Sequence, residues 1–280
     1  MPSSFTKAVR GVEVPTVGLG VFEIEPRETA DAVADAIAAG YRHVDTAAIY
    51  GNEREVGEGL RRSGVDRDEV WVTTKVWVDS FAPERLRRSA ESSLRRLGLD
   101  HVDLLLLHWP PEDWGEVPPA LDELQRLRDE GLIRELGVSN FPGYMLRDAL
   151  AHTDAIFANQ VEYHVKLSQR ELRELAAEHD VLLEAYAPLG GSSSGMVREP
   201  LLREIADAHG ATPAQVALAW LARQERVVVL PRSTDPGRRR ENLAALELDL
   251  TQEDGERLEA LSGRRERYFD PAGIAPDWRD

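Results

Sequence analysis

Polar or ionisable side chains follow successive short apolar runs in this sequence, at the point where each run ends. A single residue of this kind commonly does no more than cap a strand, but the repetition of the pattern favours one shared site. The set combines carboxylate, ammonium, imidazole and amide groups, which suits proton transfer and the binding of a polar ligand. Its members are Asp45, Lys75, His108, Ser139 with Asn140, Gln160, Tyr186, and Arg232 with Ser233.

Lys75 is unusual because lysine is rare in this chain. Of the 34 lysine and arginine residues, the only lysines are those at positions 7, 75 and 166. A lysine kept within an apolar run of an arginine-biased sequence suits a role that needs a compact point charge rather than a planar guanidinium. We therefore treat Lys75 as a candidate functional residue.

The charge balance is strongly acidic, since 50 aspartate and glutamate residues give a net charge of −16. Such a chain repels nucleic acid and anionic membrane surfaces at long range, and this disfavours both as partners. Two explanations of the acidic, lysine-poor composition stay open. One is a GC-rich genome that replaces lysine codons with arginine codons, and the other is a surface that stays hydrated in high salt.

The composition excludes several classes of protein and site. The 280 residues contain no cysteine, so disulfides, zinc–thiolate centres, iron–sulfur clusters and cysteine nucleophiles are excluded. Hydrophobic residues make up 42% and charged residues 30%, as in globular proteins. No apolar run approaches the ~20 residues of a membrane helix, and residues 1–7 lack the basic and apolar regions of a signal peptide. We therefore expect a cytoplasmic protein.

Short apolar runs alternate with helical patterns along the chain. The apolar faces of these runs are continuous rather than alternating, as in residues 102–107 (VDLLLL), which is typical of strands covered on both faces. This alternation predicts the α/β class: one (β/α)8 TIM-type barrel domain over residues 1–280, with an N-terminal β-hairpin at 8–16 and a short C-terminal loop. The predicted strands are 17–19, 43–45, 70–75, 102–108, 133–138, 157–161, 181–185 and 227–231. The predicted helices are 26–39, 83–97, 121–129, 169–179, 201–209 and 213–224.

The residues alone allow two other kinds of site, a metal centre and a hydrolytic pair of carboxylates. His43 and His108 match no standard spacing of metal ligands, so we expect no metal site. A hydrolytic pair of carboxylates, such as Asp45 with Glu162, is compatible with a barrel. That pair leaves Lys75 without a role, which disfavours a hydrolase.

Five segments, in the same order along the chain, resemble the aldo-keto reductase family. They are residues 40–53 (GYRHVDTAAIYGNE), 107–110 (LHWP), 137–141 (GVSNF), 159–164 (NQVEYH) and 230–234 (LPRST). Within the family, the first segment is most similar to that of bacterial diketogluconate-reductase-like members. The resemblance implies a (β/α)8 barrel that uses NADPH to reduce aldehydes, ketones or diketones to alcohols.

The resemblance assigns four catalytic residues, Asp45, Tyr50, Lys75 and His108. Reduction of a carbonyl needs a hydride at carbon and a proton at oxygen, and Tyr50 would donate the proton. A free phenol has a pKa near ~10, and an adjacent Lys75 ammonium held by Asp45 would lower that pKa. His108 would hydrogen-bond the substrate oxygen and orient the carbonyl.

The implied cofactor is NADPH, with NADH as a weaker alternative. It would bind without a Rossmann fingerprint, because the Gly-x-Gly segment at 18–20 lacks the third glycine and the one at 57–59 lies within a helical pattern. By the resemblance, the nicotinamide stacks on Tyr186, and its carboxamide binds Ser139, Asn140 and Gln160. The loop that would cover the pyrophosphate begins at Leu189 and Gly190 and continues through the flexible patch 190–195. The residues assigned to the adenosine 2′-phosphate and adenine are Arg232, Ser233, Arg238, Glu241 and Asn242. The other residues that the resemblance assigns to cofactor binding are Gly20, Val21, Phe22 and Asp45.

The implied partner is a small carbonyl compound, and a monomer is the family default. The sequence departs from the family where Arg232 replaces the usual lysine and where Ala187 replaces a serine or glycine. Arginine still binds phosphate, although its preference for NADPH over NADH is then open. We interpret the neighbouring Arg239 and Arg240 as a solvated basic turn. The substrate-binding residues implied are Phe22, Tyr50, Trp77, His108 and Trp109.

The C-terminal aromatics and the overall activity each leave alternatives open. Tyr268, Phe269 and Trp278 would help set specificity, as this loop does in the family, or would only attach the tail to the barrel. The alternative to a reductase is a cofactor-binding regulatory protein of the same fold with little turnover.

Overall fold

The structure, a computed structural model, describes residues 5–191 and 194–279. Residues 1–4, on which the expectation of no signal peptide partly rests, and residues 192–193 of the flexible patch lie outside the described residues. The strands are β1 (Thr6–Val9), β2 (Val12–Pro15), β3 (Leu19–Gly20), β4 (His43–Asp45), β5 (Trp71–Val76), β6 (Val102–Leu107), β7 (Ile133–Ser139), β8 (Ile156–Glu162), β9 (Leu182–Tyr186) and β10 (Val227–Leu230). The helices are α1 (Pro26–Ala39), α2 (Glu53–Ser63), α3 (Pro83–Leu97), α4 (Val117–Asp129), α5 (Gly143–His152), α6 (Arg170–His179), α7 (Pro200–His209), α8 (Pro213–Ala222), α9 (Pro236–Ala244) and α10 (Gln252–Ser262).

Strands β3 to β10 form an eight-stranded parallel sheet in sequence order, and its two edges meet. A bridge joins Val17 to Val229, and the backbone N–H of Gly18 donates to the carbonyl of Val229 at 2.8 Å. The N–H of Gly20 likewise donates to Pro231 at 3.2 Å. The predicted (β/α)8 barrel is therefore confirmed, and each predicted strand lies within one or two residues of its observed position.

The predicted N-terminal hairpin is also confirmed and covers the amino end of the barrel. Strands β1 and β2 pair antiparallel around a turn at Arg10. The guanidinium of Arg10 donates to the backbone carbonyls of Asp154 and Asp180, which immediately precede β8 and β9. Apolar residues of the hairpin, Val9 and Val14, pack with the lower interior of the barrel. Only the carboxyl end is thus left open for a site.

Helices α1, α3, α7, α8 and α9 begin at a proline, and α4 has two prolines in its first turn, which make it longer than predicted. It begins at Val117 rather than at residue 121, because Pro118 and Pro119 lie in the first turn, where the backbone N–H has no intrahelical partner. Of the described residues in α-helices, none lies in a helix that is long and apolar enough to cross a membrane.

Helices α2, α5, α9 and α10 are absent from the predicted bounds, although a helical pattern is predicted at 57–59, within α2. Helix α2 contains Gly57 and Gly59, and glycine is unfavourable in a helix interior. A Cβ at Gly57 would lie 2.0 Å from the carbonyl oxygen of Leu97, and one at Gly59 would lie 2.6 Å from the Cβ of Val33. The two glycines therefore allow α2 to pack closely against α1 and α3.

Candidate active site

A buried ion pair between Asp45 and Lys75 lies at the carboxyl end of the barrel. The Nζ of Lys75 is 2.8 Å from both carboxylate oxygens of Asp45 and 2.8 Å from the carbonyl oxygen of Thr46. Lys75 is 1% exposed and Asp45 is 4% exposed. Burial alone would lower the pKa of Lys75, but Asp45 and Tyr50 together raise it above its ordinary value. The site therefore holds a charged ammonium group at neutral pH.

Tyr50 lies at the end of a short 3-10 turn, Ala48–Tyr50, directly after β4. Its ring centroid is 5.2 Å from Lys75 Nζ. Burial raises the pKa of Tyr50 above its ordinary value, while the positive charge of Lys75 lowers it and Asp45 raises it further. Lys75 thus changes the pKa of Tyr50 in the expected direction. The expectation of a lowered pKa is wrong overall, because loss of solvent outweighs the ammonium charge.

The imidazole of His108, directly after β6, packs against two aromatic rings. Its centroid lies 5.7 Å from that of Tyr50 and 5.1 Å from that of Trp77. Burial, and then the charge of Lys75, hold the pKa of His108 well below its usual value, so the ring is neutral at neutral pH. Nδ1 is buried and has no hydrogen-bond partner among the described residues. The structure therefore brings the four predicted catalytic residues together.

The residues predicted to bind the carboxamide form one hydrogen-bonded group. The hydroxyl of Ser139 donates to the carbonyl of Gln160 at 2.9 Å. The Nδ2 of Asn140 donates to the carbonyl of His108 at 2.9 Å, and its Oδ1 accepts from the Tyr186 hydroxyl at 2.8 Å. Asn140 adopts a φ of +62°, a backbone conformation that asparagine tolerates better than most residues. The contacts to His108 and Tyr186 link this group to the catalytic residues.

Three predicted cofactor residues lie at the carboxyl end of β3 and directly after it, and they differ in which groups they expose to a ligand. Val21 is fully buried, and its N–H donates to the carbonyl of Asp45 at 3.0 Å. A Cβ at Gly20 would lie 3.1 Å from the carbonyl oxygen of Leu230, so the backbones approach closely there. Phe22 is 43% exposed, with its ring 5.0 Å from that of Tyr50. Of the three, Phe22 offers its side chain to the mouth.

The loop after β9 is tightly folded in its described part. Ala187 and Gly190 both have positive φ, at +46° and +70°. A Cβ at Gly190 would lie 2.8 Å from the Cβ of Ser194, so a glycine is needed there for both reasons. Leu189 is half-buried and accepts a hydrogen bond from Ser194 through its carbonyl.

The residues predicted at the adenosine end surround the start of α9. Arg232 and Arg238 are exposed, and Arg232 forms an ion pair with Glu23 at 3.2 Å. The helix is capped by Asp235, whose carboxylate accepts from the N–H of Arg238 at 2.8 Å. The remaining three residues are partly or fully engaged within the protein, and they are Ser233, Glu241 and Asn242.

Arg239 does not belong to a solvated basic turn, so that interpretation is wrong. Its guanidinium is buried, donates twice to one carboxylate oxygen of Asp35 at 2.6 and 3.0 Å, and donates to the carbonyl of Ser233. Its own carbonyl accepts from the hydroxyl of Tyr41. Arg239 therefore attaches α9 to α1, whereas Arg240 is exposed as predicted.

Residues 264–279, here called the C-terminal strap, return across the mouth of the barrel. Phe269 packs edge-on against Tyr186 with centroids 5.6 Å apart, and Trp278 packs against Trp109 at 6.3 Å. The strap is held by Glu162, which accepts the N–H groups of Tyr268 and Phe269 at 2.8 and 2.9 Å. The strap aromatics thus attach the tail and also contact residues of the site.

Glu162 itself has a structural role that the sequence did not indicate. One carboxylate oxygen also accepts from the ring of His164 at 2.9 Å, so both oxygens are engaged. Its occupied oxygens disfavour the hydrolytic pair with Asp45. Residues 5–191 and 194–279 contain no group of three or more His, Cys, Asp or Glu side chains placed to hold a metal ion.

Comparison with known proteins decides the family. Residues 16–262 match the model of the aldo/keto reductase family. The chain belongs to this family. It is 40% identical to the 9,11-endoperoxide prostaglandin H2 reductase of Trypanosoma cruzi, covering 95% of this chain and 94% of that protein. It is 37% identical to methylglyoxal reductase DkgB of Yersinia pestis, covering 95% and 100%.

Solved structures agree with this assignment to the aldo/keto reductases. A protein provisionally named 2,5-diketo-D-gluconic acid reductase B superposes with a TM-score of 0.93 at 39% identity, covering 98% of both chains. The aldose reductase of Schistosoma japonicum gives a TM-score of 0.88 at 31% identity, covering 99% of both. The resemblance to diketogluconate-reductase-like members is thereby confirmed. The protein is an NAD(P)H-dependent oxidoreductase that acts on carbonyl groups.

Proposed function

We propose that this aldo-keto reductase reduces aldehydes, ketones or diketones with NADPH, and that Tyr50 donates the proton. The observation that carries the proposal is the position of Tyr50, between the buried Lys75–Asp45 pair and the neutral ring of His108. A phenol, an ammonium and an imidazole meet at the open end of the barrel. That arrangement suits proton donation to an oxygen that gains negative charge.

The bound cofactor would supply the hydride to the carbonyl carbon, and the chain's own residues would manage the proton. Tyr50 is protonated at neutral pH, as an ordinary phenol is, and burial raises its pKa further. As its proton moves from Oη to the carbonyl oxygen, the nearby ammonium of Lys75 stabilises the phenolate that remains. Asp45 holds that ammonium in place. Neutral His108, whose Nδ1 is buried, would meet the substrate oxygen through Nε2 and orient it.

The residues present fit NADPH. Tyr186 offers a half-buried ring, and the side-chain amide of Gln160 lies at the buried end of the same site. Exposed guanidinium groups of Arg232 and Arg238 suit a phosphate. Because Arg232 is already paired with Glu23, we assign most of the recognition of the 2′-phosphate to Arg238.

The substrate would bind against apolar walls. Phe22 packs against Tyr50, and Trp77 packs against His108. Trp109 follows His108 in the chain and packs against Trp278 of the strap, and Ile49 next to Tyr50 is 53% exposed. Such walls favour a carbonyl compound with an apolar or aromatic portion. As part of this proposal, we expect one domain over residues 1–280 and a cytoplasmic monomer. We also expect neither a nucleic-acid partner nor a membrane partner.

The test mixes the purified protein and NADPH with a panel of aldehydes, ketones and diketones. We expect NADPH oxidation, followed by its absorbance, to depend on both protein and carbonyl. Tight NADPH binding without turnover on any carbonyl would contradict the proposal and support the regulatory alternative. Hydrolysis of glycosides without cofactor would contradict it in favour of a hydrolase.

A further inference from the structure

A second carboxyl group, that of Glu184, lies beneath the catalytic ion pair. Glu184 is in β9, directly opposite Gln160 in the register of β8 and β9. It is fully buried, like most of the barrel interior. The proposed chemistry gives Glu184 no role, although a carboxyl group in such a place is costly to maintain.

The side chain of Gln160 joins Glu184 to Asp45. Its Nε2 donates to Oδ2 of Asp45 and to Oε2 of Glu184, both at 2.8 Å. A glutamine amide has two N–H donors and one acceptor oxygen. The two carboxyl groups therefore use both hydrogens and fix the orientation of the amide. Oε1 of Gln160 is left as the atom available to a ligand.

The charges around Glu184 favour its neutral form. It is faced by Asp45 and His43 from β4, by Lys75 from β5 and by Gln160 from β8, while β10 carries no titratable side chain. Lys75 is already paired with Asp45. Burial, and then the charge of Asp45, raise the pKa of Glu184 to about 8. Burial, and then the charge of Lys75, lower the pKa of His43 to about 3, so no cation compensates from that side.

The unpaired oxygen of Glu184 gives an independent indication of a proton. Oε1 is buried and has no hydrogen-bond partner within the described part of the chain. Oε1 lies 3.6 Å from Nε2 of His43, beyond hydrogen-bond distance, and the ring of His43 is neutral. An uncharged hydroxyl at this position costs less than a carboxylate oxygen would.

We propose that Glu184 is a positioning residue for carbonyl reduction: as a neutral carboxylic acid it helps Asp45 to hold Gln160, so that Oε1 of Gln160 faces the carboxamide of the bound nicotinamide. This inference rests on the proposed function. It has a consequence for cofactor binding. When Glu184 ionises, a second negative charge enters the barrel interior, and that charge favours the cationic oxidised nicotinamide over the neutral reduced one.

The test measures the dissociation constants of NADPH and NADP⁺ by quenching of protein fluorescence. The pH is varied between ~6.5 and ~9, an interval that includes the pKa of Glu184. The ratio of the two constants isolates the nicotinamide ring, because the phosphates and adenine are common to both. In the wild type we expect relative affinity for NADP⁺ to rise about tenfold as the pH passes through about 8. Glu184→Gln keeps a neutral acceptor for Gln160, and its ratio should be flat over this interval.

A matched control is Glu135→Gln. Burial also raises the pKa of Glu135, but its charged neighbours are Arg128 and Arg10. In this variant the ratio of the two dissociation constants should change with pH as it does in the wild type. A wild-type ratio that does not change with pH, or a change that persists in Glu184→Gln, would overturn the inference. The binding measurement needs no turnover. A ratio that does not depend on Glu184 would reject this inference alone, whereas the absence of NADPH oxidation with every carbonyl would reject the proposed function.

Discussion

The charge state of individual residues decides which direction of chemistry this site favours. Lys75 supplies a fixed positive charge, and desolvation keeps the proton on Tyr50. Reduction needs that proton, whereas oxidation of an alcohol needs the phenolate. A phenol is already protonated at neutral pH, and the raised pKa of Tyr50 keeps the proton in place to higher pH. We expect reduction to decline only at alkaline pH, through the apparent pKa of the coupled Tyr50–Lys75 pair.

Replacing Lys75 with methionine tests the role of the ammonium group. We expect Lys75→Met to lower the rate of reduction by ~10²–10⁴-fold, because the phenolate is no longer stabilised. His108→Gln should retain more activity, since an amide still orients the oxygen. Both are checked by steady-state reduction of one carbonyl.

The single variant leaves the Asp45 carboxylate buried and unpaired, which destabilises the fold by itself. The double variant Asp45→Asn, Lys75→Met removes both charges and is the control for folding. If the double variant folds and reduces at the wild-type rate, Lys75 has no role in the chemistry.

We expect the choice of cofactor to depend on Arg238. A charge-assisted hydrogen bond contributes roughly 1.5–3 kcal/mol, so Arg238→Ala should weaken NADPH binding about tenfold or more. NADH has no 2′-phosphate and should be hardly affected. Arg240→Ala, an exposed arginine of the same helix, is the matched control. Equal losses for both cofactors in titrations would show that Arg238 does not contact the 2′-phosphate.

At the scale of elements, the barrel is closed at one end and covered at the other. The hairpin β1–β2 seals the amino end through Arg10. The C-terminal strap crosses the carboxyl end and is held by Glu162. The strap contacts Trp109 and Tyr186 but contributes no strand to the barrel. We therefore expect changes in the strap to alter the substrate site without disturbing the packing of the barrel.

Glu162→Gln should release the C-terminal strap. A glutamine has one acceptor oxygen, and its NH₂ group would oppose a backbone N–H, so Tyr268 and Phe269 cannot both stay bound. We expect faster proteolysis within residues 264–279 and a higher KM for the carbonyl. Glu178→Gln, an exposed carboxyl on α6, should change neither. Unchanged proteolysis of Glu162→Gln would show that aromatic packing alone holds the strap.

The sequence predicts strands better than it predicts helices with unusual contacts. Residues 104–107 are four successive leucines, which are apolar on both faces, so β6 is evident from its pattern. The sequence predicts a helical pattern at 57–59 but not the bounds of α2, and no local pattern reveals the close approach of Gly57 to Leu97 and of Gly59 to Val33. These contacts join residues far apart in the sequence.

The same limit applies to the site. Strand ends and family motifs identify the four catalytic candidates, but the sign of the Tyr50 pKa shift depends on burial by several elements. Arg239 could not be separated from Arg240 until its partner Asp35, on α1, was located.

At the scale of the whole molecule, the dominant property is the net charge of −16. Many of the arginines form ion pairs with exposed carboxyl groups, such as Arg62 with Asp31 and Arg223 with Asp249. Exposed pairs of this kind contribute little to stability. The excess of carboxylates over arginines leaves a net repulsion that opposes folding.

Salt should relieve that repulsion. We expect the thermal midpoint of unfolding to rise as sodium chloride increases from ~0.05 M to ~1 M, because the Debye length then falls from above 10 Å to about 3 Å. Scanning calorimetry without cofactor gives the measurement. A steep rise would favour adaptation to salt, whereas a flat curve would contradict the expected repulsion and favour a codon origin for the composition.

The measurement that tests the account most directly is single-turnover hydride transfer by Tyr50→Phe with NADPH already bound. The variant keeps the ring contacts with Phe22 and His108 and loses only the hydroxyl, so cofactor affinity should be unchanged. We predict that transfer falls by ~10²–10⁴-fold, the range for a positioned proton donor. Transfer by Tyr50→Phe at the wild-type rate would contradict the mechanism, whatever the family of the chain.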